Sequence, residues 1–487
     1  MKENDIIFIV PPTRSHTQRL PLGLMYISSF LESKGEKNII LDFKGISNDT
    51  AFRKLKEKII QAKPKFIGIT CVVSEVNIVY DICDFIKNNS QETTIMIGGP
   101  HASICPENFV ERGIKFDYLV MGEGEITSFE LIRVIREGAN IDDIEGIAYL
   151  KSGKLVKNKP RKMIQNLDEL PFPAYDKVDM KYYCRPNVWA IRPIYISSFT
   201  IFTSRGCPYN CNFCAAHVVW GRKVRFMSPE RIVQLIEYII KHFKIDALYF
   251  GDESFTVSKE RIYDIFNLLK SKNIRILFGC QTRVNLLDED ILKFLKNNGC
   301  LQIDFGIESG TDRMLKIMNK QTSIEMSEKI AKICSRIKLR HFANMLINVP
   351  GETLDDIEKS LHFVKDMRYS SVIWNVYCPV PGINWERTLD MDDLDTFNKY
   401  PSKEAFDLLE KKYKFGDYEQ SIRLILKYLY SNTFHPKYFR FSLQPFYYRS
   451  IYQSLSYVFD TRYILQLLRS KRKKEYIINL FKQSFSM

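Results

Sequence analysis

The chain has 487 residues, more than one ordinary hydrophobic core accommodates, so we expect two to four domains. Hydrophobic residues make up 45% of it and charged residues 26%, a balance typical of globular proteins, and it contains no run of about 18 or more apolar residues that would span a bilayer. The formal net charge of +14 suits an anionic substrate, a membrane surface or nucleic acid, and by itself selects none of them.

The N-terminus and the cysteines predict the cellular compartment. The apolar start at 6–10 is only as long as a strand and is followed by Pro11 and Pro12, so we expect no signal peptide. Eleven cysteines without an evenly spaced framework favour reduced thiols over disulfides, as in a cytoplasmic protein. The densest basic run, 469–474, is typical of a solvated helix end, so no nucleic-acid partner is expected.

Residues 1–140 alternate apolar strand-like runs with amphipathic helical stretches, the pattern of a parallel sheet covered on both faces. The predicted strands are 6–10, 38–42, 66–70, 94–97 and 118–121. The predicted helices are 22–34, 49–63, 76–88, 107–113 and 125–137. This order predicts a doubly wound, Rossmann-like α/β domain, which binds ligands at the carboxyl ends of its strands.

The loops at those strand ends carry the candidate ligand contacts of the first domain. Glycines there let the backbone approach a large ligand without an intervening Cβ. Each loop taken alone would equally suit a nucleotide or a flavin. The candidate residues are Cys71, Ser74, Gly98, Gly99, Gly122 and Glu123.

Residues 141–195 are irregular and are predicted to link two domains. Pro171 and Pro173 form a Pro-x-Pro step, which disfavours helix and favours an extended path. A small hairpin is predicted within this stretch, with its turn at Ser152-Gly153.

Residues 196–395 again alternate strands and helices, which predicts a partial or full (β/α) barrel with its site at the carboxyl ends of the strands. The predicted strands are 196–203, 247–251, 277–281, 301–306 and 341–347. The predicted helices are 228–243, 259–271, 288–297, 323–337 and 354–367. Residues 396–487 are predicted to be helical and rich in aromatic residues, with breaks at Pro436 and Pro445.

A cysteine loop follows the first strand of this second repeat. Cys207, Cys211 and Cys214 form a C-x3-C-x2-C run, which supplies three thiolates where a structural metal site uses four protein ligands. An iron–sulfur cubane held by three cysteines has one iron free for another molecule. A zinc site completed by His217 is the alternative, although ordinary zinc signatures pair two ligand units and no partner pair is present.

The cysteine loop, with the glycine-bearing strand ends that precede it, resembles the cobalamin-dependent radical S-adenosylmethionine (SAM) enzymes over about residues 6–385. The resemblance implies that 1–140 bind cobalamin, that 196–395 form a radical SAM partial barrel and that 396–487 cap the substrate pocket. It implies a [4Fe-4S] cluster on the three cysteines, SAM on the free iron, and cobalamin against the loops of the first domain.

The resemblance also implies roles for residues at the other strand ends of the barrel. The segment Gly251, Asp252 and Glu253 would hold the methionyl amine of SAM, with the oxygen responsible left open. Arg283 would pair with the SAM carboxylate and Glu308 would accept the ribose hydroxyls. For each charged residue, a salt bridge at the barrel mouth or a helix cap is the structural alternative.

The sequence departs from the classical cobalamin motif at the cobalt ligand. The Asp-x-His-x-x-Gly motif has no match after the first strand, where His16 lacks both the acidic residue and the glycine. The family that the chain resembles commonly leaves this cobalt face to water or a nearby side chain. The resemblance implies that the loop 348–353, after the fifth strand of the barrel, flanks adenine. Asn348 stands there where glycine is more common.

The resemblance implies a radical SAM methyltransferase that methylates an unactivated carbon through a 5′-deoxyadenosyl radical. A cyclisation or rearrangement without methyl transfer is the alternative, and a zinc- or cluster-bearing nucleic-acid-binding protein is a remote one. A methylthiotransferase would need a second cysteine trio, and Cys71, Cys83 and Cys105 lack a suitable setting.

The expected partners follow from this chemistry. They are a small-molecule or lipid-like substrate and an external electron donor such as flavodoxin or ferredoxin. No transmembrane segment is expected, but the basic, aromatic C-terminal end would suit peripheral contact with a membrane.

Overall fold

The computed structural model describes residues 5–13, 19–187, 190–191, 196–347, 349–367, 369–377, 383 and 385. His16, Asn348 and the predicted helical segment 396–487 lie outside these residues. The described chain forms two compact units. The first comprises the residues up to Tyr182 together with Ala215–Gly221, Ile383 and Trp385, and the second comprises Tyr183–Cys214 and the described residues from Arg222 to Tyr377. No helix within the described ranges combines the length and apolar character needed to cross a membrane.

The first unit is a seven-stranded sheet with the order β2-β1-β3-β4-β5-β6-β7. Its strands are β1 (Ile6–Val10), β2 (Ile39–Asp42), β3 (Phe66–Thr70), β4 (Thr94–Gly98), β5 (Tyr118–Val120), β6 (Ile147–Lys151) and β7 (Lys154–Lys157). Its helices are α1 (Leu22–Ser33), α2 (Asn48–Ala62), α3 (Val76–Asn89), α4 (Pro100–Ile104), α5 (Glu107–Glu111) and α6 (Gly124–Glu137). Strands β1 to β5 are parallel, as predicted.

The predicted hairpin is present, but it belongs to the sheet of the first unit. Strand β6 pairs antiparallel with β5, with Tyr118 opposite Tyr149, and β7 pairs antiparallel with β6. The sheet thus extends into the stretch that the sequence analysis assigned to the linker. A hairpin can join the sheet in this way because the edge of β5 offers unpaired backbone groups.

The second unit is also built on a seven-stranded sheet, with the order β16-β15-β14-β13-β12-β9-β8. The strands of this sheet are β8 (Pro186–Asn187), β9 (Ile196–Ile201), β12 (Ala247–Phe250), β13 (Leu277–Thr282), β14 (Cys300–Glu308), β15 (Arg340–Ile347) and β16 (Ser371–Val376). Two further strands, β10 (Ser204–Arg205) and β11 (Arg225–Phe226), pair with each other in a separate two-stranded sheet. The remaining helices are α7 (Met180–Tyr183) at the boundary, α8 (Ala216–Trp220) in the first unit, α9 (Pro229–His242), α10 (Lys259–Ser271), α11 (Glu289–Asn297), α12 (Asp312–Ile317), α13 (Ile324–Arg336) and α14 (Leu354–Asp366).

The second sheet is an open half-barrel. Six of its strands are parallel, and only β8 is antiparallel. In the described residues its edges are β16 and β8, which do not pair with each other. The α/β fold class predicted from the sequence is confirmed, and the barrel is the partial form.

The faces of β14 show how the half-barrel is organised. Leu301, Ile303 and Phe305 on one face are apolar and buried, as expected for a strand covered by helices. The alternate residues Gln302 and Asp304 on the other face are polar and equally buried. Polar groups inside a sheet need partners, and Asp304 accepts hydrogen bonds from Gln302 Nε2 at 2.8 Å and from Tyr249 Oη at 2.6 Å. The face of β14 that carries Gln302 and Asp304 is therefore polar and internally hydrogen-bonded.

The close approach of α14 to the end of β14 depends on one glycine. A Cβ on Gly310 would lie 2.5 Å from Ser360 Cα and 3.0 Å from Phe363 Cβ, and its backbone N–H donates to Ser360 Oγ at 2.8 Å.

We predict that Gly310→Ala lowers the free energy of unfolding by about 2 kcal/mol, because α14 would have to move away from the strand end. The matched control is Gly23→Ala, in α1, where nothing lies within 4 Å of the added Cβ and a small gain is expected. Urea unfolding of both variants measures the difference; equal midpoints would contradict the prediction.

Candidate active site

The cysteine loop begins with a glycine that the backbone requires. Strand β10 pairs antiparallel with β11, which brings the chain at Lys223 back against Gly206. Gly206 has a φ of +111°, and a Cβ there would collide with the carbonyl oxygen of Lys223. Only glycine fits this conformation, so Gly206 fixes where the loop leaves the sheet, one residue before Cys207.

The three cysteines of the loop differ in exposure. Cys211 is 6% exposed, whereas Cys207 and Cys214 are partly exposed, and all three are free thiols. Burial raises the pKa of Cys207, and the nearby Glu253 carboxylate adds to the rise. A bound cation would favour ionisation of the Cys207 thiol, since thiol ligands bind metals in their deprotonated form.

The three cysteines are spread along the loop, and this spacing favours a cluster over a single metal ion. No three His, Cys, Asp or Glu side chains within the described ranges are grouped like the ligands of a single metal ion. In a cubane each thiolate binds a different iron, so three cysteines spread along one loop fit such a cluster without meeting at one point.

The middle of the cysteine loop is held by the chain after α12. Asn212 N donates to Met318 O at 3.0 Å, and Asn212 Nδ2 donates to Ile317 O at 2.8 Å. On the other side of Cys211, Asn319 Nδ2 donates to Asn210 O at 2.7 Å. The backbone on both sides of Cys211 is therefore bound to one short segment.

Asp252 anchors the chain just before the loop. The residue is fully buried, and its carboxylate accepts hydrogen bonds from the backbone N–H and the hydroxyl of both Thr203 and Ser204, at 2.5–2.8 Å. Arg261 Nη2 completes the network by donating to Thr203 O at 2.8 Å. All these hydrogen bonds to the carboxylate of Asp252 come from the protein itself, whereas the carboxylate of Glu253 accepts none in the described residues.

Glu253 has a different environment from Asp252. Within the part of the chain that the structure describes, its carboxylate has no hydrogen-bond or ion-pair partner. Burial, and then the negative charge of Asp252, raise its pKa. A partly buried, unpaired carboxylate is suited to receive a cation.

Arg283 joins the end of β13 to the cysteine loop. Its Nη1 donates to Cys211 Sγ at 3.3 Å, and its guanidinium lies 3.7 Å from the centre of the Tyr209 ring. The residue is 6% exposed, yet Nη2 has no partner within the described residues. A buried guanidinium nitrogen without an acceptor indicates a missing ligand, and a carboxylate matches its planar fork.

Glu308 projects from an irregularity at the end of β14. The pairing of β14 with β15 shifts register between Gly306 and Glu308, and Glu308 adopts a φ of +69°, in the left-handed region. Such bulges redirect side chains near active sites. Here the Glu308 carboxylate forms an ion pair with Lys320 at 2.8 Å, and both side chains are almost fully buried.

In the first unit, two of the predicted contact residues have structural partners. The thiol of Cys71 lies in the hydrophobic core, and burial raises its pKa well above the usual range, so only its backbone can face a ligand. Glu123 is 7% exposed and accepts a hydrogen bond from Ile164 N at 2.7 Å, which binds the linker to the sheet.

The remaining predicted contacts lie at the carboxyl edge of the sheet. Gly99 has a φ of +96°, and a Cβ there would lie 2.8 Å from Cys71 O. Gly122 has a φ of +74° with nothing within 4 Å of its Cβ position, and Ser74 is exposed. Ser103 Oγ joins two of the loops by donating to Gly99 O at 3.0 Å and accepting from Gly122 N at 2.9 Å. Hydrogen bonds thus join two loops of this edge, and the space beside Gly122 would let a large ligand approach the backbone there.

We predict that removing the charge from the two adjacent acids affects stability differently. Asp252→Asn should lower the free energy of unfolding by about 3 kcal/mol, because the substitution removes the negative charge that accepts four hydrogen bonds and replaces the Oδ2 acceptor of the Thr203 hydroxyl with an N–H donor. Glu253→Gln should leave it unchanged, because no partner is lost. Thermal or urea unfolding of the two variants tests this, and a destabilised Glu253→Gln would contradict it.

Comparisons with known proteins agree with this geometry. Residues 201–364 match the model of the radical SAM superfamily, and residues 15–132 match the model of the B12 binding domain. An uncharacterized methyltransferase of Pyrococcus horikoshii is 29% identical over 434 residues, covering 85% of this chain and 92% of that protein. The anaerobic magnesium-protoporphyrin IX monomethyl ester cyclase of Rubrivivax gelatinosus is 24% identical over 78% of this chain and 68% of its own.

The fold has a counterpart among solved structures. The radical SAM methyltransferase TsrM from Kitasatospora setae, solved with cobalamin and a [4Fe-4S] cluster bound, is 20% identical and superimposes with a TM-score of 0.63. The similarity covers 77% of this chain and 75% of that one.

Proposed function

Since the chain belongs to the cobalamin-dependent radical SAM enzymes, with a B12-binding domain ahead of its radical SAM domain, we propose that it is a methyltransferase acting on an unactivated carbon. When bound, the cofactors of this family supply the reductive cleavage of SAM and the methyl group that is transferred. The protein's part is to hold them, orient them and exclude water. The methyltransferase name of the Pyrococcus horikoshii relative, similar over most of both chains, supports this choice.

Cys207, Cys211 and Cys214 would hold the cluster, with Arg283 Nη1 donating a hydrogen bond to the sulfur of Cys211. Hydrogen bonds to cluster sulfurs are among the means by which proteins set a cluster's reduction potential. Gly206 and Asp252 would fix the start of the loop, so that the thiols are presented before metal binds.

The observation that carries the proposal is the buried guanidinium of Arg283. One of its nitrogens contacts a cluster cysteine and another has no acceptor in the described residues. The SAM carboxylate on the free iron of the cluster would supply that acceptor. Glu253 would receive the methionyl amine, since the other acid of its segment is occupied, and Glu308 would receive the ribose hydroxyls.

Cobalamin would lie against the carboxyl edge of the first sheet. Gly99 and Gly122 would let the backbone approach the corrin, and Ser74 would face it from the exposed turn after β3. Cys71 would contribute through its backbone, and Glu123 would hold the linker segment in place.

An external electron donor such as flavodoxin or ferredoxin would reduce the cluster, and we place the enzyme in the cytoplasm. The ten cysteines among the described residues are free thiols, which suits a reducing compartment. The substrate would be a small or lipid-like molecule that enters at the carboxyl ends of the half-barrel.

Cyclisation without methyl transfer is the second candidate, favoured by the cyclase name of the Rubrivivax gelatinosus relative. Anaerobic reconstitution with iron, sulfide and cobalamin, followed by SAM carrying a labelled methyl group, separates the candidates. With candidate substrates, label in the product supports methyl transfer, and an unlabelled product supports cyclisation.

The same reconstituted enzyme tests whether the chain assembles a cluster and cleaves SAM, before any substrate is known. We expect an absorbance near about 400 nm from the cluster and formation of 5′-deoxyadenosine on reduction. Replacing Cys207, Cys211 and Cys214 together by Ala should abolish both. If the wild-type chain binds zinc in place of iron and releases no 5′-deoxyadenosine, the proposal is wrong.

We predict that Arg283→Met weakens SAM binding to the reconstituted enzyme by at least about tenfold, since the carboxylate loses a charged hydrogen-bond partner. Arg283→Lys should recover only part of the affinity, because it keeps the charge but loses the planar fork. Arg275→Met, at an exposed arginine just before β13, is the matched control. Equilibrium dialysis with labelled SAM measures all three, and wild-type affinity in Arg283→Met would contradict the assignment.

A further inference from the structure

One segment of the second unit contacts both the cysteine loop and the ribose-side carboxylate. We call residues 317–320 the clamp. Three hydrogen bonds join it to the cysteine loop, at Asn210 and Asn212. Its last residue, Lys320, forms the ion pair with Glu308. The clamp is thus the part of the second unit where the two regions meet.

The backbone of the clamp aims Lys320 into the interior. Asn319 has a φ of +51°, in the left-handed region, and Lys320 N donates to Leu315 O at 2.9 Å, which ends α12 with a tight turn. Lys320 is 5% exposed, although a lysine is rarely buried unless it is paired. The sharp turn therefore places an ammonium group where only a specific partner can compensate for its desolvation.

Lys320 has two partners among the residues that the structure describes. Its Nζ donates to Glu308 Oε1 at 2.8 Å and lies 5.5 Å from the centre of the Phe213 ring, next to Cys214 in the cysteine loop. A Cβ on Gly306 would collide with Glu308 Oε1 and lie 2.7 Å from Lys320 Nζ, so the missing side chain of Gly306 makes room for the pair. The turn after α12, the Phe213 ring and the missing side chain of Gly306 thus all accommodate this ion pair.

We propose that Lys320 is a positioning residue that couples the cluster site to the ribose site. It holds the Glu308 carboxylate in place from one side and contacts the cysteine loop through Phe213 from the other. The proposal rests on the function proposed above. It adds a residue that touches neither substrate nor cofactor but sets the geometry of the groups that do.

The pair also has an electrostatic consequence for the cluster. A cation beside the loop stabilises the reduced cluster and an anion destabilises it, because net charge is one determinant of cluster potential. Lys320→Met would leave Glu308 uncompensated and lower the midpoint potential. Glu308→Gln would leave Lys320 uncompensated and raise it. A purely structural role for the pair would not produce shifts of opposite sign.

The experiment compares Lys320→Met with Lys320→Arg and with Lys316→Met, the same truncation at an exposed lysine four residues earlier. The first measurement is hydrogen–deuterium exchange of the cofactor-free chain. We expect faster exchange at the amides of 210–214 in Lys320→Met only. This readout requires neither iron nor SAM, so it decides whether the clamp holds the loop even if the proposed function fails.

The second measurement uses the reconstituted enzyme, SAM binding by equilibrium dialysis and the midpoint potential by redox titration with EPR detection. Lys320→Met should bind SAM about tenfold more weakly and have a lower potential, and Lys320→Arg should restore most of both. Wild-type loop exchange or wild-type SAM affinity in Lys320→Met overturns the proposal. If wild-type enzyme takes up a cluster but binds no SAM, the proposed function fails instead.

Should Lys320→Met not fold, Lys320→Gln takes its place, because glutamine keeps a hydrogen-bond donor for Glu308 while removing the charge. The expected results are again weaker SAM binding and a lower potential. Wild-type values for both would overturn the proposal.

Discussion

The hydrogen bonds accepted by Asp252 are the interaction on which the site depends. A loop of three thiols has no regular secondary structure of its own, so its start must be fixed by something else. A fully buried carboxylate that accepts from the backbone N–H groups of Thr203 and Ser204 does this, and it tolerates burial because its acceptor sites are used. From that anchor the chain passes through Gly206, whose conformation no other residue adopts without strain, to the first cysteine.

The three acids of the site share a side-chain chemistry but differ in surroundings, and the surroundings separate their roles. Asp252 accepts hydrogen bonds from backbone and hydroxyl donors, and Glu308 forms an ion pair with a buried ammonium group. Glu253 has no partner in the described chain. Arg283 is the complementary case, a buried cation with one nitrogen, Nη2, that has no hydrogen-bond acceptor among the described residues. A zwitterionic ligand, with one positive and one negative group, would satisfy Glu253 and Arg283 together.

The elements were largely predictable from the sequence because their periodicity is strong. Most predicted strands of the first domain agree with the structure within one or two residues at each end. Helix α4 was missed because Gly98, Gly99 and Pro100 together are typical of a loop. The hairpin was recognised, but its place in the first sheet depends on the free edge of β5, which no local pattern indicates.

The separate roles of the acidic residues in the site were not predictable from the sequence, because they too depend on contacts between distant segments. Asp252 and Glu253 are adjacent and both acidic, and only the fold shows that one of them faces Thr203 and Ser204. Lys320 lies 12 residues from Glu308 and received no role from the sequence, because their pairing depends on the bulge in β14 and the turn after α12. The spacing of residues in a motif indicates which kind of ligand the motif binds. Contacts between distant segments of the chain decide which residue of the motif is free to bind it.

The hairpin β6–β7 has a consequence for the protein's behaviour in concentrated solution. It moves the boundary of the first sheet from β5, which is apolar, to β7, which begins and ends with lysines, Lys154 and Lys157. An outermost strand bearing positive charges resists pairing with the corresponding strand of another molecule. At this edge of the sheet, the hairpin thereby disfavours edge-to-edge aggregation.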